Sequence, residues 1–198
     1  MGLDLDTTDG QTPLDEDEKE GLLITTITTR GELDEFEQLG VEGAIEWTMR
    51  RKLGLQHILT EELVKELHGR MFGDIWKWAG QFRTSNKNLG VDKNHIPTEV
   101  KKLLDDCRYW IDHNVFAEDE IAVRFSHRIV TIHPFSNGNG RHSRLIADIL
   151  VSHGFGGLPF SWGSINLTAQ GAARSAYLEA LREADAKDYR SLIEFARQ

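Results

Sequence analysis

Residues 131–144 read TIHPFSNGNGRHSR and lie between two stretches in which apolar residues recur at helical spacing. The upstream stretch opens with the acids Glu118-Asp119-Glu120, and the downstream stretch continues to about Gly154. Pro134 cannot continue the first helix, so His133 is expected near its end. The sequence therefore predicts a loop that is held at both ends by helices of the core.

This loop has the composition of an anion-binding site. Gly138 and Gly140 allow backbone conformations that are closed to other residues, and they allow a ligand to approach closely. The next helix begins directly after them, so its first N–H groups face the loop and favour a phosphate. Arg141 and Arg144 lie on one face of its first turn. Two positive charges there oppose the helix dipole, which is unfavourable unless an anion is bound. His133 is close enough for proton transfer beside a phosphoryl group, and an ordinary pKa of about 6.5 suits a base at neutral pH.

The rest of the chain predicts an all-α protein with one exception. The predicted helical segments are residues 31–53 as one helix or as two with a break at Gly40 or Gly43, a helix capped by Thr60, one starting at Pro97-Thr98-Glu99, one from about Gly140 to His153, and one from Thr168 or Gly171, with a terminal turn from Tyr189 to Ala196. The exception is residues 81–97, which are rich in Asn, Gly, Lys and Thr. This composition indicates a short hairpin or an extended flap.

Composition restricts the class of protein further. The chain has 198 residues, of which 39% are hydrophobic, and this is enough for one sizeable core. The apolar runs are far shorter than the ~20 residues of a membrane-spanning helix, so we expect no membrane partner. Cys107 is the single cysteine, which excludes an internal disulfide framework. The N-terminus lacks a secretory signal pattern, which predicts a cytoplasmic location.

The net charge of −9 is concentrated at the N-terminus, where residues 1–20 hold eight acids against one base, Lys19. Residues 21–198 are close to neutral, which argues against broad nucleic-acid binding, because such binding requires a basic face. We interpret residues 1–20 as an acidic tail and residues 21–198 as a single helical domain. The tail is either solvated or a regulatory segment that docks on a positive pocket.

The segment from His133 to Arg144 resembles the signature of Fic-domain proteins, HPFx[DE]GNGRxxR, at every fixed position except one. Residues 79–84 are similar to the flap of that family and residues 177–188 to its closing helices, so the resemblance spans about residues 60–195. It implies an all-α Fic-type helical bundle with a small β-hairpin flap over the active-site loop.

The resemblance also implies an activity, the Mg²⁺-dependent transfer of AMP from ATP to a Tyr, Thr or Ser hydroxyl of a target protein that docks on the flap. His133 would be the general base, while Arg141 and Arg144 would neutralise the β- and γ-phosphates. The implied nucleotide-binding residues are Asn137, Gly138, Asn139, Gly140, Arg141 and Arg144 in the loop and Leu89, Gly90, Val91 and Asp92 in the flap.

Asn137 is the one departure from the signature, because the family usually has Asp or Glu there to help hold Mg²⁺. An amide oxygen is a weaker Mg²⁺ ligand than a carboxylate. We therefore expect the metal to depend mainly on the phosphates, with slower transfer or a different donor or reaction direction.

Many members of the family are held inactive by an inhibitory helix with the pattern [ST]xxxE[GN], whose Glu pairs with the second signature arginine. Glu20-Gly21 matches the last two positions but Glu16 replaces the hydroxyl residue, and Thr28 to Glu32 is followed by Leu33. Neither match is complete. We favour Glu20 as an inhibitory residue that contacts Arg144, with an antitoxin partner as the alternative source of inhibition.

The sequence is also compatible with two other functions. A metal-dependent phosphohydrolase or nuclease would use His127, His133, His142 and His153, although their spacings form no known ligand set. A regulatory module that binds a nucleotide and transfers nothing is also compatible with Asn137 and the acidic tail.

Overall fold

Helices dominate the computed structural model, which describes residues 14–164 and 171–198. The α-helices are α1 (Glu16–Lys19), α2 (Arg30–Met49), α3 (Leu55–Ile58), α4 (Glu61–Phe72), α5 (Ile96–Asp112), α6 (Glu118–Ile132), α7 (Asn139–Ile149), α8 (Ala172–Asp185) and α9 (Arg190–Arg197). Short 3-10 turns lie at Lys93–His95 and Trp162–Ser164, and a π-helical turn at Leu150–Phe155 continues α7. The predicted all-α fold is confirmed. No helix within the described ranges is long and apolar enough to cross a bilayer.

Local signals in the sequence account for several helix ends. The Thr60 side chain accepts a hydrogen bond from the Leu63 N–H and caps α4. α6 begins at Glu118, as predicted, and Pro97 lies in the first turn of α5. The predicted start near Thr168 falls outside the described residues, whereas the alternative at Gly171 is the N-cap of α8.

α2 runs without interruption from Arg30 to Met49, so of the two arrangements predicted for residues 31–53 the single helix is the one that forms. Gly40 instead permits contact between two backbones. A Cβ atom built on Gly40 would lie 2.1 Å from the Met71 carbonyl oxygen of α4. A Cβ atom on Gly43 would meet nothing within 4 Å. The contact at Gly40 therefore fixes α2 against α4.

This difference between two glycines of one helix gives a paired prediction. Gly40→Ala should lower the free energy of unfolding by about 2 kcal/mol, because the methyl group forces the helices apart. Gly43→Ala should instead raise the free energy of unfolding by up to ~1 kcal/mol, since alanine has a higher helix propensity than glycine at an exposed helix position. Urea denaturation of both variants measures the difference, and equal effects would show that the α2–α4 contact does not hold in solution.

The centre of the fold is α6, which packs against α5, α7 and α9. Phe125 and Ile129 of α6 and Ile146 of α7 are buried. Because α6 and α7 both belong to this core, the loop of residues 133–138 that joins them is fixed at both ends.

The flap, residues 81–92, does not form the predicted β-hairpin. Within the described residues the one β-type pairing is an isolated bridge between Leu22 and Trp76. The flap backbone is bonded to the end of α6 instead: the Arg83 N–H donates to the Pro134 carbonyl over 2.9 Å, and the Val91 N–H donates to the Ile132 carbonyl over 3.2 Å. These bonds use the backbone groups that a partner strand would have taken, so the flap is an extended cover without strand pairing.

The described part of the acidic tail, residues 14–20, packs on the flap. The buried Lys87 ammonium pairs with Asp15 over 2.9 Å and with Glu18, and the Trp78 indole N–H donates to the Glu18 carbonyl over 3.0 Å. Residues 1–13 of the predicted tail lie outside the described residues. Residues 14–20 therefore belong to the helical unit.

Candidate active site

The loop between α6 and α7 is closed by its own side chains. Asn139 makes two bonds to Phe135, with Oδ1 accepting from the backbone N–H over 3.0 Å and Nδ2 donating to the carbonyl over 2.8 Å. Gly138 has a φ of 75°, and a Cβ atom there would lie 2.5 Å from the Phe72 ring. Only glycine fits this left-handed position. The loop therefore holds one shape at the N-terminus of α7.

The buried His68 connects this loop to the start of the flap. Its Nδ1 accepts from the Gly80 N–H over 3.0 Å, so its Nε2 carries the proton and donates to the Asn137 carbonyl over 3.0 Å. Burial lowers the pKa of His68 well below its usual value, so the ring is neutral. The sequence does not indicate this role of His68, because a histidine within an apolar helix carries no local sign of its partners.

A cavity of about 490 Å³ opens in front of the loop. The predicted site residues that line it are Leu89, Gly90, His133, Asn137, Gly138, Asn139, Gly140, Arg141 and Arg144. Val91 and Asp92 do not line it. The Val91 backbone is bonded to Ile132 and Arg83, and the Asp92 carboxylate accepts from Asn86 and from the Asn94 N–H. These two flap residues therefore lie outside the cavity wall, and their implied part in nucleotide binding stays a prediction.

His133 is a buried titratable group of the cavity wall. It has left-handed backbone angles at the end of α6, and 8% of its surface is exposed. Burial, followed by the charges of Arg83 and Lys87, lowers its pKa to about 4, against a raising effect of the bond to Val130. The expectation of an ordinary pKa near ~6.5 is therefore wrong. Nδ1 lies 3.3 Å from the Val130 carbonyl, and when it donates there, Nε2 has the lone pair that a base needs.

Both signature arginines reach the cavity, and each guanidinium lies over an aromatic ring. Arg141 is 4.9 Å from the centre of the Phe72 ring, and Arg144 is 5.3 Å from that of Tyr177. Arg141 also donates from Nη2 to Glu37 Oε2 over 2.6 Å. Such contacts limit the motion of long side chains before a ligand binds.

Three further arginines, Arg30, Arg174 and Arg182, line the same cavity. They come from α2 and α8, which lie far from the signature in sequence, and only the packing of these helices around the loop brings them together. Asp185 is the one carboxylate among the described residues that line the cavity, and it lies 2.9 Å from His127 Nε2. Arg30, Arg141 and Arg182 each pair with a carboxylate outside the cavity wall. The lining residues themselves carry an excess of positive charge, which favours a polyanionic ligand.

The predicted contact between Glu20 and Arg144 is not formed. Glu20 is exposed at the end of α1 and does not line the cavity. The reason is the docking of α1 on the flap through Glu18 and Lys87, which holds residues 15–20 away from α7.

The residues around Asn137 do not fit a protein-held Mg²⁺. Its amide oxygen Oδ1 accepts from the Gly138 N–H over 2.6 Å, and no group of three His, Cys, Asp or Glu residues within the described ranges could hold a metal ion. His142, a candidate ligand of the phosphohydrolase alternative, is buried and 2.9 Å from the Val64 carbonyl. Mg²⁺ prefers carboxylate and phosphate oxygens, so any Mg²⁺ here would enter bound to the phosphates of a nucleotide.

Asn137→Asp tests this assignment. Without Mg²⁺, the added charge should weaken ATP binding about tenfold, whereas excess Mg²⁺ should restore it, because the carboxylate supplies a ligand. One Asp oxygen can still accept from the Gly138 N–H, so the loop should keep its shape. Isothermal titration calorimetry with EDTA or with Mg²⁺ measures the effect.

The matched control is Asn88→Asp, which adds the same charge on the flap side of the cavity. Its loss of affinity should persist when Mg²⁺ is present. An equal loss for Asn137→Asp under both conditions would contradict a metal position beside residue 137.

Comparison with known proteins shows similarity to one family. Residues 58–151 match the model of the Fic/DOC family. The chain is 26% identical over 180 residues to "Protein adenylyltransferase Fic" of Aedes aegypti, which covers 88% of this chain and 34% of that protein. It is 28% identical over 120 residues to "Protein adenylyltransferase fic-1" of Caenorhabditis elegans, over 58% of this chain and 24% of that one. The chain thus spans about a third of the length of the first of these relatives.

Two solved structures share the fold. Fic-1 of C. elegans superposes with a TM-score of 0.67 at 22% identity, over 90% of this chain and 51% of that one. The BepC protein of Bartonella tribocorum with bound AMPPNP superposes with a TM-score of 0.68 at 16% identity, over 92% of this chain and 97% of that one. At these identities the likeness concerns the fold.

Proposed function

We propose that this protein, whose residues 58–151 match the model of the Fic/DOC family, transfers the AMP moiety of ATP to a Tyr, Thr or Ser hydroxyl of a target protein. The observation that carries the proposal is a neutral, buried imidazole, that of His133, in the wall of the cavity that Arg141 and Arg144 also line. The names of the relatives, protein adenylyltransferases, agree with this chemistry.

The proposed reaction is an in-line substitution at the α-phosphorus. The Nε2 atom of His133 takes the proton of the acceptor hydroxyl, and the resulting oxygen forms a bond to the α-phosphorus. The bond from the α-phosphorus to the oxygen that bridges to the β-phosphorus breaks, and pyrophosphate leaves. Arg141, Arg144 and the N–H groups at the start of α7 stabilise the negative charge of the leaving group. The contribution of the protein is thus positioning and electrostatics.

The acceptor protein approaches His133 along the flap in this proposal. Gly90 lies against His133, where a Cβ atom would be 2.6 Å from the His133 Cβ. Leu89 lines the cavity and is 43% exposed, so it can contact both the nucleotide and a partner. We also propose that an antitoxin or an N-terminal segment inhibits the transfer activity. The proposed location of the protein is the cytoplasm.

Intact-protein mass spectrometry after incubation with ATP, GTP, UTP or CTP and Mg²⁺ tests the proposal. A mass gain equal to AMP, on the protein itself or on a lysate protein, is the expected result. A different gain would identify another donor. ATP binding with no transfer to any protein would support the regulatory nucleotide-binding module instead.

The pH dependence of transfer should reflect the low pKa of His133. A base with a pKa of about 4 is neutral above that pH, so the rate should be constant from pH 5.5 to 8 and fall only as the pH approaches 4. With an ordinary pKa of ~6.5, about nine-tenths of the rate would be lost between pH 7.5 and 5.5. Initial rates at these two pH values, with circular dichroism as the control for folding, distinguish the cases.

A further inference from the structure

A buried carboxylate lies directly behind the first signature arginine. Glu37 of α2 is 104 positions from Arg141 in sequence, and 1% of its surface is exposed. Its Oε2 accepts from Arg141 Nη2 over 2.6 Å, and its Oε1 accepts from the Trp76 indole N–H over 2.7 Å. Each carboxylate oxygen thus has a donor, as a buried charge requires.

The surrounding packing prevents this carboxylate from moving. α2 contacts the α4 backbone at Gly40, less than one turn from Glu37, and the Trp76 ring stacks on Trp78 with centres 5.0 Å apart. The Arg141 guanidinium is held by the Glu37 carboxylate and by the Phe72 ring. Arg141 is therefore oriented before any nucleotide binds.

Glu37 does not line the cavity, whereas Arg141 does. A glutamate that blocked a phosphate would have to occupy the space of that phosphate, and Glu37 lies on the other side of the arginine. A guanidinium has five N–H donors, and the bond to Glu37 engages only Nη2. The remaining donors are available to a ligand in the cavity.

We propose that Glu37 is a positioning residue that holds Arg141 toward the β-phosphate of the donor nucleotide. This inference rests on the function proposed above. If Arg141 moved away to follow the phosphate, Glu37 would become an unpaired buried charge, so Arg141 stays paired and meets the β-phosphate in a fixed orientation. The pair also accounts for an arginine at a helix N-terminus, because the Glu37 carboxylate offsets the charge of Arg141 beside the positive end of the helix dipole.

A carboxylate at position 37 can accept a hydrogen bond from both of its neighbouring donors, the Trp76 indole and the Arg141 guanidinium. A glutamine at position 37 has one acceptor oxygen and one donor amide, but it faces two donors, Trp76 Nε1 and Arg141 Nη2. Glu37→Gln therefore releases one of them while the side chain keeps its size. Trp76→Phe is the matched control, because it removes the indole donor and leaves the pair of Glu37 and Arg141 intact.

Calorimetric affinities for AMP, ADP and ATP test the inference. Glu37→Gln should weaken ADP and ATP binding about tenfold, the effect of losing one charge-assisted hydrogen bond, and leave AMP binding unchanged. Trp76→Phe should keep the wild-type preference for ADP over AMP. The double variant Glu37→Gln/Trp76→Phe should regain that preference, because the amide oxygen can then face Arg141. This double variant also serves if Glu37→Gln alone does not fold.

Three results would overturn the inference. Tighter ADP binding by Glu37→Gln would show that Glu37 competes with phosphate, and an equal loss of AMP and ADP affinity would show a structural role only. The third result is a double variant that does not prefer ADP to AMP. Failure of the proposed function is seen separately. In that case the wild type would prefer ADP to AMP as expected, yet ATP would label no protein.

Discussion

His133→Ala should lower the rate of AMP transfer by about 10³-fold, the contribution of a positioned general base. The affinity for ATP should stay near that of the wild type, because in the proposed binding mode the phosphates contact the two signature arginines and the start of α7 rather than the imidazole. Single-turnover labelling with radioactive ATP measures the rate, and calorimetry measures the affinity.

Two further variants make the interpretation firm. His133→Asn keeps a polar side chain in the space against Gly90 but cannot accept a proton at neutral pH, so it should be as inactive as the alanine variant. His57→Ala, at an exposed position of α3, should label at the wild-type rate. Substantial transfer by both His133 variants would show that another group accepts the proton.

Arg83→Met should have the largest effect on stability, because Arg83 connects the flap to the loop between α6 and α7. Arg83 is 4% exposed. Its Nε donates to the His133 carbonyl over 2.7 Å, Nη1 to the Ser85 carbonyl over 2.8 Å, and Nη2 to the Val91 carbonyl. Removing the guanidinium leaves three carbonyls without their donor, and the free energy of unfolding should fall by about 3 kcal/mol.

The same substitution should also release the flap and reduce transfer. Arg83→Lys should not restore either property, because one ammonium cannot reach three carbonyls in the geometry of a planar guanidinium. Denaturation by urea measures the stability, and hydrogen exchange of the flap amides measures the release. Arg50→Met is the control, since its exposed pair with Glu46 contributes little. Unchanged exchange at Val91 in Arg83→Met would contradict the connecting role.

The backbone of the signature segment follows the prediction because the signals for it are local. Pro134 ends α6, Gly138 takes a left-handed conformation, and α7 begins at Asn139, as the order of these residue types requires. The resemblance based on this segment is confirmed by the family match over residues 58–151. Its implied roles for His133 and Arg141 stay predictions, since no structural observation tests catalysis.

The wrong predictions concern properties that depend on distant residues. The sequence left open a break of α2 at Gly40 or Gly43, whereas the α2 helix is continuous and the α4 backbone passes close to Gly40. A polar stretch was interpreted as a hairpin, but its backbone groups bond to α6 and to Arg83. Glu20 was favoured from a partial pattern, and α1 packs elsewhere.

The sequence by itself determined the helical class, the ends of the main helices and the loop that contains His133, because periodicity, capping residues and proline act over a few positions. Only the tertiary structure decided what surrounds that loop. The low pKa of His133 depends on burial, the orientation of Arg141 depends on Glu37, and the position of the flap depends on Arg83. Burial and long-range pairing are properties of how helices pack, and the residues that create them carry no sign of their partners in the linear chain.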